Sequence, residues 1–281
     1  MNVRQRVKSA IDCLFGQIPK VVEIVKVPIY HTMRSESSLS GHVALIAGGT
    51  GGIGRRIAEC YLKHGCKVIV GGTSRQKLED IKKELSHPNL ETLVCDVRDT
   101  MSFPAIFSDS EALFPGVDIL VSSVGVHTEN VDFWNMSPDE FDRVMSVNLR
   151  GNYFLCQAFA RHMRKCTRSG HILMISSCRG FEPAFSPYGI SKWALNGFVR
   201  GLARELIKYR IVVNGIAPGT VATRLINASE ENINTKENVF ERHMLPSEVA
   251  ELAMYMVSGA GDFILGEVVP CSAGRGVFDL R

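Results

Sequence analysis

Tyr188 and Lys192 stand four residues apart in the run Tyr188-Gly189-Ile190-Ser191-Lys192. With 3.6 residues per helical turn they share one helix face, so a phenol and an ammonium address the same point in space. Free tyrosine titrates near ~10, too high for an effective base at neutral pH. A nearby ammonium favours the phenolate, so Lys192 is expected to lower the pKa of Tyr188. A pair of this kind moves a proton. A third hydroxyl, Ser177, stands shortly before them.

Roughly 140 residues upstream, a short apolar run over 43–47 leads into Gly48-Gly49-Thr50-Gly51-Gly52-Ile53-Gly54. A tight glycine turn lets the backbone approach a pyrophosphate, and the following helix offers free N–H groups and partial positive charge. A glycine motif is informative only between a strand and a helix, and that context is present. Its spacing is Gly48-x3-Gly52-x-Gly54, not the commoner Gly-x-Gly-x2-Gly. A proton-transfer pair and a dinucleotide-type loop together imply a nicotinamide-dependent oxidoreductase. The second strand ends Val70-Gly71-Gly72-Thr73-Ser74-Arg75. An NAD enzyme usually places Asp or Glu there for the ribose hydroxyls. Here no acid occurs until Glu79. The hydroxyls of Thr73 and Ser74 with the Arg75 guanidinium suit a 2′-phosphate, so NADP(H) is favoured over NAD(H).

These groups must be held by a scaffold. Strands are read over 43–47, 67–70, 93–95, 119–121, 171–175 and 211–216, with helices over 57–64, 77–85 and 188–206. Ser137-Pro138-Asp139-Glu140 reads as a capping box opening a long helix to about Lys165. Short apolar strands alternating with helices predict an α/β fold, a single Rossmann-like doubly wound parallel sheet covered on both faces. Residues 41–281 form this domain. Residues 1–40 read as an N-terminal extension with an amphipathic helix and a linker, Arg34 to Ser38. The extension packs on its own domain or a neighbouring subunit, or residues 1–30 lie on a membrane surface, or the segment is disordered.

The chain has 281 residues, 45% apolar and 22% charged, an ordinary composition for a soluble globular protein. A net charge of +3, with both signs interspersed, gives no argument for a nucleic-acid partner. None of the eight cysteines forms a Cys-x-x-Cys pair or clusters with histidine at zinc-finger spacing, so no metal is expected. Their usage fits a reducing cytoplasm. No transmembrane span or signal peptide is read.

From Gly41 to about Gly276 the chain resembles the short-chain dehydrogenase/reductase family, in particular bacterial 3-oxoacyl-reductase-like members. The resemblance rests on motifs in the family order: the glycine loop, Asp96-Val97, Ser122-Ser123-Val124-Gly125, Asn148, Ser176-Ser177, Tyr188-x3-Lys192, and Pro218-Gly219 with Val221 and Thr223 behind. It implies that Tyr188 is the general acid/base, that Ser177 orients the substrate carbonyl, and that Lys192 also holds the nicotinamide ribose. Asn148 holds a water that relays protons from the lysine. Asp96 and Val97 flank the adenine. Ser123 and Gly125 lie at the strand-end contacts with the cofactor. Pro218, Gly219 and Val221 lie along the nicotinamide, and Thr223 is near its carboxamide or the pyrophosphate. Ser177 is preferred to Ser176 because Ser177-Cys178-Arg179-Gly180 matches the family's Ser-x-x-Gly. Where the family usually has Asn-Asn-Ala-Gly, this chain has Ser122-Ser123-Val124-Gly125. The family also implies a homo-oligomer, a tetramer or dimer, built through the helices carrying Asn148 and Tyr188.

The stretch over 223–246 is polar, from Asn227 through Asn238, which favours a polar carbonyl or alcohol substrate such as a keto-sugar. The run Phe185 to Trp193, with Asn214 to Gly219, looks like bacterial members associated with cell-surface sugar pathways. A 3-oxoacyl-thioester reductase, a steroid or secondary-alcohol dehydrogenase, and a dinucleotide-binding sensor without turnover stay open. For the thioester reductase, Arg161, Arg164, Lys165 and Arg168 offer a basic surface to an acidic carrier.

Overall fold

Alternate residues of the first strand, β1 (Val43–Ala47), enter opposite cores. Val43, Leu45 and Ala47 join one apolar cluster, while Ala44 and Ile46 join the other. All five are buried, as a strand must be when both sheet faces are covered. The protein is described by a computed structural model over residues 38–129, 132–223, 233–235, 238 and 240–276. The amphipathic N-terminal helix and linker, and the polar run from Asn227 to Asn232, lie outside the described residues.

The remaining strands are β2 (Lys67–Gly72), β3 (Leu90–Val94), β4 (Val117–Ser122), β5 (Gly170–Ile175), β6 (Ile211–Pro218) and β7 (Val268–Cys271). They form one sheet in the order β3-β2-β1-β4-β5-β6-β7, parallel throughout. The order reverses between β1 and β4, where Ala47 pairs with Ser122. A crevice opens at the carboxyl ends of strands at such a switch point, and ligands of open α/β sheets bind there. This is the doubly wound sheet that the sequence predicts.

Helices α1 (Gly52–Lys63), α2 (Arg75–Leu85) and α7 (Pro246–Val257) cover one face, contributing Ile57, Tyr61, Leu78, Ile81, Val249 and Ala253. Helices α3 (Phe103–Leu113), α5 (Asn152–Lys165) and α6 (Pro187–Leu206) cover the other, with Phe103, Phe107, Phe159, Leu195 and Val199. Leu39, just before β1, is fully buried in the first of these layers.

The long helix read from Ser137 to Lys165 is interrupted. It consists of α4 (Pro138–Met145), a π-helical turn over Ser146–Gly151, and α5. Ser137 caps it, its Oγ accepting from Glu140 N–H. The Glu140 carboxylate takes the Glu129 N–H and pairs with Arg143. The π turn packs tightly beside β3: a Cβ on Gly151 would lie 2.7 Å from the Val97 carbonyl oxygen. Among the described residues, no helix is long and apolar enough to cross a membrane.

Candidate active site

Helix α6 starts at Pro187 and is capped by Ser186, whose Oγ accepts from Gly189 N–H at 3.2 Å. This cap places Tyr188 on the first turn, facing the crevice, and Lys192 one turn deeper. Tyr188 N–H is taken by Thr128 Oγ1 at 3.0 Å, so its unpaired helix-end donor is satisfied across the cleft. The phenol, Ser177, Ser176, Pro218, Gly219 and Thr223 line one cleft together with Ile53 of the glycine loop. The structure therefore brings Tyr188 and the two serines to the glycine turn.

The two serines divide their work. Ser176 Oγ donates to Asn196 Oδ1 at 2.5 Å and is held against α6. Ser177 is extended, accepts the Arg179 N–H at 3.2 Å, and stands beside the Tyr188 phenol in the cleft. This geometry favours Ser177, the serine that the Ser-x-x-Gly spacing selects.

The electrostatics depart from the sequence expectation. Burial pushes the Tyr188 phenol above its usual pKa, and the neighbouring Ser177 hydroxyl only partly offsets this. The expected lowering by Lys192 does not set the balance. Lys192 Nζ donates to the Ile175 carbonyl at 3.1 Å and lies 5.7 Å from the phenol ring centroid. Lys192 is itself almost fully buried, and this pushes its pKa down to about 8. Desolvation of the charged form therefore dominates at both residues.

Asn148 sits in the π turn, fully buried. Its Oδ1 accepts Val126 N–H at 2.8 Å, and its Nδ2 donates to the Val126 carbonyl and to Ser191 Oγ at 3.1 Å. Ser191 in turn donates to the Tyr188 carbonyl at 2.6 Å. Asn148 thus ties the β4 loop to the helix turn that carries Tyr188. Ser122 replaces the family's asparagine and finds a local partner, donating to Asn152 Oδ1. Ser123 N–H binds the Ala47 carbonyl at 2.9 Å, and a Cβ on Gly125 would meet Lys192 Nζ at 3.4 Å.

The glycine loop forms a cradle. Gly48 has φ +76°, and its N–H and that of Gly49 both reach the Gly71 carbonyl at 3.0 Å. A Cβ on Gly54 would lie 2.3 Å from the Gly48 oxygen, so the turn closes only with glycine there. Gly51 is the N-cap of α1, with no side-chain cap and no acid in the first turn. Such an end, with its donors uncapped, is a ready anion site. Thr223 stands over it: a Cβ on Gly52 would meet Thr223 Cγ2 at 2.7 Å. Thr50 faces Gly72 at the end of β2. Beyond it, Thr73 and Arg75 are exposed, and Ser74 caps α2 by accepting from Lys77 N–H. Asp96 is gripped by the Arg98 guanidinium, which holds its carboxyl below the usual range, and Val97 is buried beside it. Gly219 N–H binds the Cys271 carbonyl at 2.8 Å, while Val221 bridges to Met244.

Several residues of the cleft escape the sequence reading. The His127 ring stacks on Tyr188, and Arg179 and Arg275 line the same cleft. His127 follows Gly125 by two residues, and Arg179 lies inside the Ser-x-x-Gly run. Both were within reach of a search around those motifs. Arg275 carries no local signal.

A parallel seven-stranded sheet with a glycine cradle and a buried Tyr–Lys pair at its switch point defines a nicotinamide-dinucleotide oxidoreductase. The profile described as short chain dehydrogenase matches residues 42–234. The chain belongs to the short-chain dehydrogenase/reductase family. It is 32% identical over 247 residues to the 3-oxoacyl-acyl-carrier-protein reductase FabG of Aquifex aeolicus, covering 85% of this chain and 99% of that one. It is 29% identical over 241 residues to a 3alpha-hydroxysteroid dehydrogenase of Mediterraneibacter gnavus, covering 82% and 95%. Among solved structures, a 3-oxoacyl-acyl-carrier-protein reductase of Brucella melitensis aligns with TM-score 0.75 at 28% identity, over 91% of this chain and all of that one. A Brucella melitensis 3-ketoacyl-acyl-carrier-protein reductase complexed with NADH aligns with TM-score 0.76 at 25% identity, over 85% and 99%.

Proposed function

We propose that this protein is an NADPH-dependent reductase of a polar ketone, with Tyr188 as the proton donor. The observation that carries the reading is the convergence of Ser177 and Tyr188 on a cleft that also includes Ile53 of the glycine cradle, with Lys192 buried one turn behind Tyr188. When bound, the nicotinamide supplies a hydride to the carbonyl carbon. Ser177 hydrogen-bonds the carbonyl oxygen, and the Tyr188 phenol gives that oxygen its proton as charge develops. A phenol raised by burial is held in its protonated form, as a proton donor must be. Lys192 holds the nicotinamide ribose and re-supplies the proton. Asn148 has its side-chain amide committed within the protein. Its main-chain carbonyl accepts from Asn152 Nδ2 at 2.9 Å and is the group that would hold a relay water.

Gly48, Thr50, Gly51, Gly52, Ile53 and Gly54 cradle the pyrophosphate, with Thr223 over it. Asp96 and Val97 flank the adenine, Ser123 and Gly125 line the strand ends, and Pro218, Gly219 and Val221 lie along the nicotinamide. Thr73, Ser74 and Arg75 receive the 2′-phosphate, since no carboxylate stands at the end of β2. The experiment is a pair of fluorescence titrations, with NADPH and with NADH. Preference for NADPH that is lost in Arg75→Ala supports this reading. Preference for NADH overturns the assignment of residues 73–75 and favours alcohol oxidation.

The described cleft wall carries polar side chains, among them His127, Thr128, Ser186 and Thr220, within a surface that is more apolar than polar. The polar side chains support a polar carbonyl, and a steroid or secondary alcohol stays open as an alternative. A 3-oxoacyl-thioester substrate is the second reading, favoured by the likeness to FabG.

A homo-oligomer through α5 and α6 completes the proposal. Tyr153 and Trp193 on these helices are 44% and 50% exposed, more aromatic surface than solvent contact favours. The cysteines among the described residues are all free thiols, as a reducing cytoplasm would keep them.

A further inference from the structure

Helix α1 ends in a cluster of side chains that the reductase reading does not use. Cys60 lies in its last turns, and His64, one turn on, is its C-cap, so the two share a helix face. Glu251 comes from α7, which packs on α1. One atom of each that can ligate a metal, a thiol sulfur, a ring nitrogen and a carboxylate oxygen, lies within 4.8 Å of the other two. Among the described residues, no other three histidine, cysteine or acidic side chains meet in this way. The two helices are fixed by Ile57 and Tyr61 packing with Val249 and Ala253, and by Tyr61 OH donating to the Ala253 carbonyl at 3.1 Å. The core therefore holds the three groups together. A second observation comes from His64 itself. Its Nδ1 is buried and has no hydrogen-bond partner. A buried polar atom left unpaired is costly, and an ion is one of the partners that satisfies it. Cys60 is 9% exposed and Glu251 is exposed, so a cation reaches the cluster from solvent.

We infer that Cys60, His64 and Glu251 form a zinc-type site that takes a divalent cation between α1 and α7. Sulfur, nitrogen and oxygen donors together suit Zn²⁺, with water in the fourth tetrahedral position. Ligand atoms around tetrahedral zinc stand ~3.5 Å apart, so the cluster has to close by about 1 Å. Burial, and then the Glu251 carboxylate, push the Cys60 thiol up to about 12, and its proton passes to solvent as the metal binds. Among the described residues, the opposing charge felt at that thiol is Lys63, which is exposed and screened. The role is structural. Cys60 stands about 12 Å along α1 from Gly52 of the cradle, so a metal there pins the far end of α1 to α7 and leaves the hydride and proton steps alone. The inference is independent of the reductase reading. Sequence spacing gives no sign of it, because the third ligand arrives from a distant helix.

The bland alternative is three neighbouring side chains with no affinity for metal. The test titrates Co²⁺ into the full chain after dialysis against a chelator, following the near-ultraviolet thiolate-to-cobalt absorption. The expected result is a saturable thiolate band that Zn²⁺ displaces, and a melting temperature that Zn²⁺ raises. Cys60→Ala loses the band. His64→Gln and Glu251→Gln each weaken cobalt binding at least about tenfold, the loss that even an outer partner of a metal ligand can carry. Cys166 Sγ lies 3.8 Å from His162 Nε2, a second cysteine–histidine pair one helical turn apart. Cys166→Ser therefore serves as the control and keeps the band. Absence of a thiolate band in the wild type overturns the site. So does a band that survives in Cys60→Ala or vanishes in Cys166→Ser. If Cys60→Ala does not fold, Glu251→Gln decides, since it changes an exposed side chain: wild-type cobalt affinity in that variant overturns the site.

Discussion

The His127 ring lies almost flat on the Tyr188 ring, with centroids 4.1 Å apart and planes inclined by 18°. Burial, and then the Lys192 charge, hold His127 in its neutral form. An uncharged imidazole can press against the phenol without placing beside it a positive charge that would favour the phenolate. The stack holds the Tyr188 ring in place. Removing the ring in His127→Ala is expected to lower kcat about three- to tenfold, the size of an aromatic stack worth roughly 0.5–1.5 kcal/mol. His127→Phe should keep most of the rate. Steady-state kinetics on both variants checks this, and an unchanged kcat in the alanine variant would remove the positioning role.

Gly54 and Gly51 make opposite demands. A Cβ at Gly54 would sit 2.3 Å from the Gly48 oxygen, whereas one at Gly51 would sit 3.4 Å away. Gly54→Ala should therefore destabilise the fold by about 1–3 kcal/mol, the usual range for forced overpacking. Gly51→Ala should leave thermal stability nearly unchanged and weaken cofactor affinity, because its methyl would stand at the uncapped helix end. Melting curves with and without NADPH separate the two effects.

Lys192 gives a pH signature with opposite signs for binding and stability. Its pKa is pushed down to about 8 by burial, from an ordinary 10.5. The ammonium is lost as pH rises through about 8, so NADPH affinity should fall across that pH. The unfolded chain binds more protons between the two values, so the Lys192 contribution to stability rises with pH in that window, and its penalty is complete below it. Fluorescence titrations of wild type and Lys192→Met across the range check the first half. A fall of equal size in the methionine variant would assign it to another group.

Much of this was legible in the sequence, for physical reasons. The strands are apolar runs, and α6 carries a serine cap, a proline at its first position and a clear apolar stripe. The π turn was not legible, because the run from Ser137 to Lys165 has helical periodicity throughout. The interruption answers a distant contact, Gly151 against the Val97 carbonyl. Helix α3 was missed because its Phe-Pro-Ala-Ile-Phe-Ser start lacks a polar face, both phenylalanines being deep in the core. Helix α7, Ala- and Met-rich, was also passed over, although Glu248 reaches back to the Leu245 N–H at its start. The Tyr188 pKa went the other way because spacing shows which charge is near but not how much water is displaced. Arg275 meets Glu182 across 93 residues, a separation with no local trace.

The central claim, that Tyr188 donates the proton in a nicotinamide-dependent ketone reduction, is tested most directly by replacing its hydroxyl alone. NADPH oxidation is followed with small polar ketones for wild type and Tyr188→Phe, alongside NADPH affinity. Wild type is expected to oxidise NADPH in a ketone-dependent way. The phenylalanine variant is expected to show a kcat lower by about 10²–10⁴, with NADPH affinity within about twofold. A phenylalanine variant that keeps the wild-type rate would contradict it. So would a wild type that binds NADPH and oxidises none with any ketone.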